Sequence, residues 1–132
     1  QAALEAARRV LGPGPRLGRS CHGVPPAVGE RASYSVFGPV FAPRTASPTP
    51  GPGKLAVDVA ALAAFAARER HVFALGGVTP RSAAACVRAG AFGLASIRSF
   101  FGPRGEVTDN VARLLESLTE PADHAAPPNR PR

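Results

Sequence analysis

Tryptophan and methionine are absent from this sequence, and there is a single tyrosine, Tyr34, and a single lysine, Lys54. A nucleic-acid surface favours clustered basic side chains with aromatic rings between them. Here fifteen arginines carry almost all of the positive charge, and none of their runs is longer than Arg8-Arg9. No nucleic-acid partner is expected, although the net charge is +7. Cysteine is equally scarce. Cys21 and Cys86 form no CxxC pair and are too few for a disulfide scaffold. A reduced, cytoplasmic setting is therefore expected. Only nine residues are acidic, and none stands at the end of an expected strand. His22, His71 and His124 share no ligand spacing, so this chain is expected to supply no metal site of its own. The longest apolar run, Val59 to Ala67, is far too short to span a membrane. No secretory signal pattern is visible.

Proline and glycine are plentiful, with 15 and 14 residues, and they punctuate the chain. Ala2 to Leu11 has Leu4, Ala7, Val10 and Leu11 at helical spacing and stops at Gly12-Pro13-Gly14-Pro15. Leu17 to His22 is expected to be a short strand, and 25–31 an irregular helical connector. Ala32 to Phe37 is a second strand, closed by Gly38-Pro39. The Pro-, Thr- and Ser-rich stretch from Ala42 to Gly53 is expected to be a long mobile loop. Leu55 to Arg70 is the clearest helix, through Leu55, Val57, Val59, Leu62, Phe65 and Ala66, with arginines in its last turn. A strand over 71–75 leads to Thr79 as N-cap and Pro80 as first helical residue, with Gly90 as the stop. A fourth strand spans 93–97, a loop 99–106, and a last amphipathic helix 108–118. One helix followed by four βα units specifies an α/β fold with a parallel sheet. Val72-Phe73-Ala74-Leu75 is apolar on both faces, as parallel strands are.

The chemistry-bearing residues fall at strand ends. Gly76-Gly77-Val78-Thr79-Pro80 joins a strand to a helix N-terminus, where flexible glycines and the helix dipole favour an anion. Gly93 to Arg98 repeats the theme about 20 residues on. Two such consecutive units match the phosphate site after strands 7 and 8 of a (β/α)8 barrel. The expected phosphate donors are the amides of Gly76, Gly77, Ile97 and Arg98, with the Arg98 guanidinium either adding a charge-assisted contact or facing solvent. Ser20-Cys21-His22 closes the first strand. Ser20 can hydrogen-bond a phosphate. His22 is either an acid, base or anion donor or a loop histidine without a role. Ser20 and His22 are the candidate catalytic side chains. Cys21 fits a buried small hydrophobe better than a nucleophile. Thr45, Ser47 and Thr49 place hydroxyls beyond the second strand, where they either close over a phosphorylated ligand or belong to a spacer.

Several motifs then stand in a fixed order: Leu17-Gly18-x-Ser20-x-His22, Tyr34-x-x-Phe37-Gly38-Pro39-Val40-Phe41, Ala74 to Pro80, and Ala89-Gly90-Ala91-x-Gly93-Leu94-Ala95-x-Ile97. Together, over residues 2–118, they resemble the C-terminal half of thiamine phosphate synthases and the related thiazole tautomerase-like proteins. The resemblance implies a (β/α)8 TIM-type barrel of which residues 1–119 form about the last four βα units, a half-barrel. A Pro-rich tail over 120–132 is expected to be disordered. A complete barrel needs at least about 200 residues. Gln1 in place of a methionine, directly before a helical pattern, leads us to expect an incomplete start.

The resemblance also implies a transferase of thiamine biosynthesis. Such an enzyme joins hydroxymethylpyrimidine pyrophosphate to a thiazole phosphate and releases pyrophosphate. It needs Mg²⁺, whose ligands are expected outside this chain. By resemblance Ser20 contacts the pyrophosphate, the amides of Gly77, Ile97 and Arg98 hold the thiazole phosphate, and Thr45 adds its hydroxyl. The chain departs from the family at three places. The loop 42–47 lacks the lysine that usually meets the phosphates. Arg98 stands where the synthases commonly carry serine, and Pro39 where the tautomerases carry histidine, which argues against tautomerase activity. Two rival readings follow. One is a divergent or truncated half-barrel that binds a phosphorylated ligand without turnover. The other is a half-barrel that self-associates to bury its open edges.

Overall fold

The computed structural model describes residues 2–23, 32–42, 56–101 and 107–119. Helix α1 (Ala2–Leu11) leads into strands β1 (Gly18–Cys21) and β2 (Tyr34–Phe37). Helix α2 (Asp58–Ala66), strand β3 (Val72–Leu75), helix α3 (Pro80–Arg88) and strand β4 (Gly93–Ala95) follow, and helices α4 (Arg98–Phe101) and α5 (Val107–Thr119) end the fold. The strands form one parallel sheet in the order β1-β2-β3-β4, each beside its neighbour in sequence. That is the α/β architecture expected from the sequence, with no reversal of strand order. The expected connector at 25–31, the loop from Ala42 to Gly53 and the tail at 120–132 lie outside the described residues.

Side chains alternate across the sheet, and the register puts Arg19, Cys21, Ser35, Phe37, Val72, Ala74 and Leu94 on one face. Helices cover that face. Leu62 and Phe65 of α2 and Cys86 of α3 join it in one core with Cys21, Phe37, Val40, Val72, Ala74 and Val78. The rings of Phe37 and Phe65 stack with centroids 4.5 Å apart. Arg19 is the charged residue among these, beside the buried Ser35. Its guanidinium meets Glu69 at 2.7 Å, and its Nε donates to the buried Ser35 hydroxyl at 3.2 Å.

The opposite face holds Gly18, Ser20, Tyr34, Val36, Phe73, Leu75, Gly93 and Ala95, and none of these is buried. Two glycines make room for rings there. A Cβ on Gly18 would sit 2.1 Å from Tyr34 Cζ, and one on Gly93 would sit 2.6 Å from Phe73 Cε1. Tyr34 and Phe73 thus reach over the neighbouring strands, edge to face with each other at 6.0 Å. At the amino ends of the strands, Arg16, Ser33, Tyr34, His71, Phe73 and Phe92 line a cavity of about 290 Å³.

Several expected boundaries move. The helix expected over 55–70 is regular only from Asp58 to Ala66 within the described residues. Asp58 adopts φ 70° and its Oδ1 accepts the Ala61 N–H at 2.8 Å, which starts the helix. Arg68 and Arg70 therefore lie beyond the last turn rather than within it. The fourth strand stops at Ala95, because the Ser96 hydroxyl turns back to the Val78 carbonyl and also receives the Ser99 N–H. That capping, with the Phe101 N–H bonded to the Ile97 carbonyl at 2.8 Å, makes 98–101 a short helix where a loop was expected. In α1 the half-buried stripe is Leu4, Ala7 and Arg8, while Val10 and Leu11 are exposed. Arg8 reaches the Ser33 hydroxyl at 3.4 Å, which turns that side of the helix inward.

Candidate phosphate site at the strand carboxyl ends

Ligands of parallel α/β sheets bind beyond the carboxyl ends of the strands. Here those ends are laced together by backbone. Gly38 N–H donates to the Cys21 carbonyl at 3.1 Å, tying the turn after β2 to β1. Val40 N–H donates to Leu75 O at 2.8 Å and Phe41 N–H to Gly76 O at 3.1 Å, tying the same turn to β3. The Ser96 and Ser99 hydroxyls both donate to Val78 O, at 3.3 and 2.6 Å, tying β4 and α4 to the turn after β3. The two serines were not singled out in the sequence. Their spacing of three, directly after a strand, was the available signal.

Gly76 and Gly77 adopt φ values of 92° and 62°, which disfavour any residue with a side chain. A Cβ on Gly76 would stand 2.4 Å from Pro39 Cβ, and one on Gly77 would stand 2.7 Å from Phe41 Cβ. Both glycines are thus required by the close approach of two turns, whatever ligand the turns hold. Gly77 is exposed and its neighbour Val78 is buried, so the turn is anchored on one side and open on the other. Thr79 caps α3 as expected, its N–H bonded to the Ser82 hydroxyl at 2.9 Å, with Pro80 at the first helical position. Ile97 is 72% exposed and opens α4 together with Arg98. The two turns expected to donate to phosphate are therefore brought together through Val78.

Ser20 and His22 stand at the end of β1, both exposed. His22 Nδ1 donates to the Gly38 carbonyl at 2.6 Å, and Ser20 Oγ lies 3.4 Å from Nε2. β1 is two strands from β3, which separates Ser20 from the Gly76-Gly77 turn by roughly 10 Å at ordinary strand spacing. Thr45 lies outside the described residues.

The family model for thiamine monophosphate synthase matches residues 1–100. The chain belongs to that family. It is 34% identical over 129 residues to the thiamine-phosphate synthase of Saccharophagus degradans, covering 92% of this chain and 55% of that protein. A second family relative, from Geobacter sulfurreducens, is 39% identical over 127 residues, or 87% of this chain and 53% of its own. The chain thus spans about half the length of the curated relatives it matches. The thiamine phosphate pyrophosphorylase of Pyrococcus furiosus shares the fold with a TM-score of 0.65 at 19% identity, over 87% of this chain and 54% of its own.

The cavity at the amino ends, lined by Tyr34 and Phe73 of the open face, lies at the opposite end of the strands from these strand-end turns. Among the described residues no group of three His, Cys, Asp or Glu could hold a metal, and no helix is long and apolar enough to cross a membrane. The donors gathered at the strand ends are hydroxyls, an imidazole and amides. This set suits an oxyanion and does not fit a hard divalent cation, which takes carboxylates.

Neither cysteine belongs to this site. Cys21 and Cys86 are buried and unbridged. Burial pushes the Cys21 thiol up, with Arg19 partly opposing it, and burial alone pushes Cys86 up. Raised values leave little thiolate at neutral pH. Both thiols are expected to stay unmodified by iodoacetamide in the native chain and to react fully in denaturant. Mass spectrometry counts the adducts, and rapid native labelling of Cys21 would place it in an accessible site instead.

Proposed function

We propose that this chain is the phosphate-binding half of a thiamine phosphate synthase barrel. The observation that carries the reading is the sequential parallel sheet with one face covered by helices and the other open. An eight-stranded barrel fills its interior with side chains of just such an inner face. Four further βα units would cover Tyr34, Val36, Phe73 and Leu75 and pair the outer edges of β1 and β4. Residues 1–119 would be that half.

The proposed reaction joins hydroxymethylpyrimidine pyrophosphate to thiazole phosphate. The bond from the pyrimidine methylene to the pyrophosphate oxygen breaks, and the thiazole nitrogen takes the methylene. Ser20 would contact the pyrophosphate. The amides of Gly76, Gly77, Ile97 and Arg98 would hold the thiazole phosphate, and Thr45 would add its hydroxyl. The roughly 10 Å between β1 and β3 leaves room for two phosphate-bearing groups with the reacting atoms between them. No residue here serves as general base, so the chain's share is positioning and charge stabilisation. The Mg²⁺ of the family would be held by the other half, and nothing in this chain's share is routed through it.

The missing loop lysine favours a second reading, in which the same turns bind a phosphorylated ligand without turnover. Both readings require the strand-end phosphate site. Titrating the chain with 4-methyl-5-(2-phosphooxyethyl)thiazole is expected to shift the amide resonances of Gly76, Gly77, Ile97 and Arg98. Gly77→Val keeps the N–H but forces a Cβ against Phe41 and shifts the turn's amides, so binding should weaken at least about tenfold, the size of one lost charge-assisted contact of about 1.5 kcal/mol or more. Unmoved amides, or unchanged affinity in Gly77→Val, would remove the phosphate site. Adding the family's other half then separates a synthase from a binder by whether thiamine phosphate forms.

A further inference from the structure

The cavity at the amino ends of the strands takes no part in the strand-end site. Its volume of about 290 Å³ lies at the small end for ligand pockets, which run from about 300 Å³ upward, and suits a molecule of one or two rings. Four of its lining residues precede the strands they lead into: Arg16 before β1, Ser33 before β2, His71 before β3 and Phe92 before β4. Closing a barrel over the inner face would cover the floor, Tyr34 and Phe73, and leave these four at the barrel's lower mouth.

The walls are aromatic and interlocked. Tyr34 meets Phe73 edge to face at 6.0 Å, Phe73 meets Phe92 at 5.6 Å, and Phe92 meets His71 at 4.7 Å. Each ring is braced by the next, so the walls are set before a ligand arrives and little ordering remains to be done on binding. His71 adopts φ 53°, which is uncommon outside glycine, and its Nδ1–H donates to the Ser33 carbonyl at 3.1 Å, fixing its ring in the wall. Phe92 is 65% exposed, so the run of rings has an open end.

The polar side is positive. Among the described residues no carboxylate lines the cavity or pairs with Arg16. The Ser33 hydroxyl oxygen accepts the Leu17 N–H at 3.1 Å and an Arg8 N–H at 3.4 Å. With its lone pairs used, its own hydrogen is left to donate, and Arg8 adds a second positive charge behind it. A flat apolar body with an anionic end meets both sides: ring against rings, and a carboxylate on a guanidinium that can give it two parallel N–H···O bonds. We infer that the amino-end cavity binds an aromatic carboxylate, its ring among Tyr34, Phe73, Phe92 and His71 and its carboxylate on Arg16 and the Ser33 hydroxyl. The site is separate from the phosphate turns at the other end of the strands.

Benzoate is the probe, with benzamide to remove the charge and acetate to remove the ring. Each is titrated into the full chain and followed at the backbone amides of Arg16, Ser33, His71 and Phe92, with Val36 and Leu75 reporting on the rest of the open face. Benzoate is expected to move the amino-end amides saturably and to bind at least about tenfold more tightly than either control, the size of one lost hydrogen bond to a charged group. Arg16→Gln should abolish the preference for benzoate over benzamide, and Phe92→Ala should weaken both by about fivefold. Both side chains are exposed, so neither change threatens the fold. Acetate binding as tightly as benzoate would overturn the part given to the ring, and point instead to an acidic side chain of a partner. Benzamide binding as tightly would overturn the part given to the carboxylate. Shifts centred on Val36 and Leu75, or no saturable shift, would overturn the site. None of these outcomes touches the amide of Gly77, so the phosphate reading stands or falls separately.

Discussion

Gly38→Ala is expected to remove a large part of the folding stability of this chain. A Cβ at that position would stand 2.0 Å from the Leu75 carbonyl oxygen and 2.9 Å from its carbon. Both atoms are backbone, so no side chain can swing aside. The turn after β2 would have to lift away from β3 by more than an ångström. That movement breaks the Val40–Leu75 and Phe41–Gly76 hydrogen bonds and strains the His22–Gly38 bond. It also withdraws Val40, which is 1% exposed, from the core. A cost of about 3 kcal/mol or more follows, at the top of the usual range for overpacking because the neighbour is backbone and cannot move aside. Typical domains have only about 5–15 kcal/mol in total. Gly14→Ala is the control, since its Cβ would meet nothing within 4 Å. Urea unfolding followed by circular dichroism compares the two. Matching midpoints would mean that the strand ends are not in close contact.

The second large effect lies beneath the sheet. Glu69→Ala leaves the Arg19 guanidinium without its carboxylate on a face where the side chain is 11% exposed. Removing one partner of a buried pair typically costs about 3–5 kcal/mol. The lower end applies here, because Glu69 keeps 22% exposure and the Ser35 hydroxyl still receives Arg19 Nε. The double variant Arg19→Met, Glu69→Leu is expected to recover most of the loss, since it removes both charges and fills the space with carbon. Thermal unfolding of the three proteins tests this. A double variant no more stable than Glu69→Ala would show that the pair contributes beyond mutual neutralisation.

Much of this fold is legible because local signals agree. The run Val72 to Leu75 followed by two glycines, Thr79 and Pro80 gives strand, turn, cap and first helical residue in one reading. Where expectation and structure differ, a hydrogen bond across the sequence decides. Ser96 ends β4 early by reaching Val78, and nothing in residues 93–97 alone signals that. The Arg19–Glu69 pair is equally hidden, because its partners are 50 residues apart in sequence. The candidate site was legible as strand-end glycines and a serine–histidine motif. What could not be read was that Gly76 and Gly77 are demanded by Pro39 and Phe41, which makes their presence poor evidence of a ligand by itself.

The strand order has a kinetic consequence. Every strand pairs with the next one along the chain, joining residues such as Gly18 and Tyr34, Ser35 and Val72, and Phe73 and Gly93, which are 16, 37 and 20 positions apart. Each closure is short, and its entropic cost grows only slowly with loop length. The sheet can therefore grow one neighbour at a time from any adjacent pair, without waiting for distant parts of the chain to meet. Parallel pairing is slow to form in general, and pairing each strand with the next one along keeps those closures near the shortest that crossover connections allow. The slowest closure is the widest, between β2 and β3, so shortening the segment between those strands should speed folding more than any change at the chain's ends.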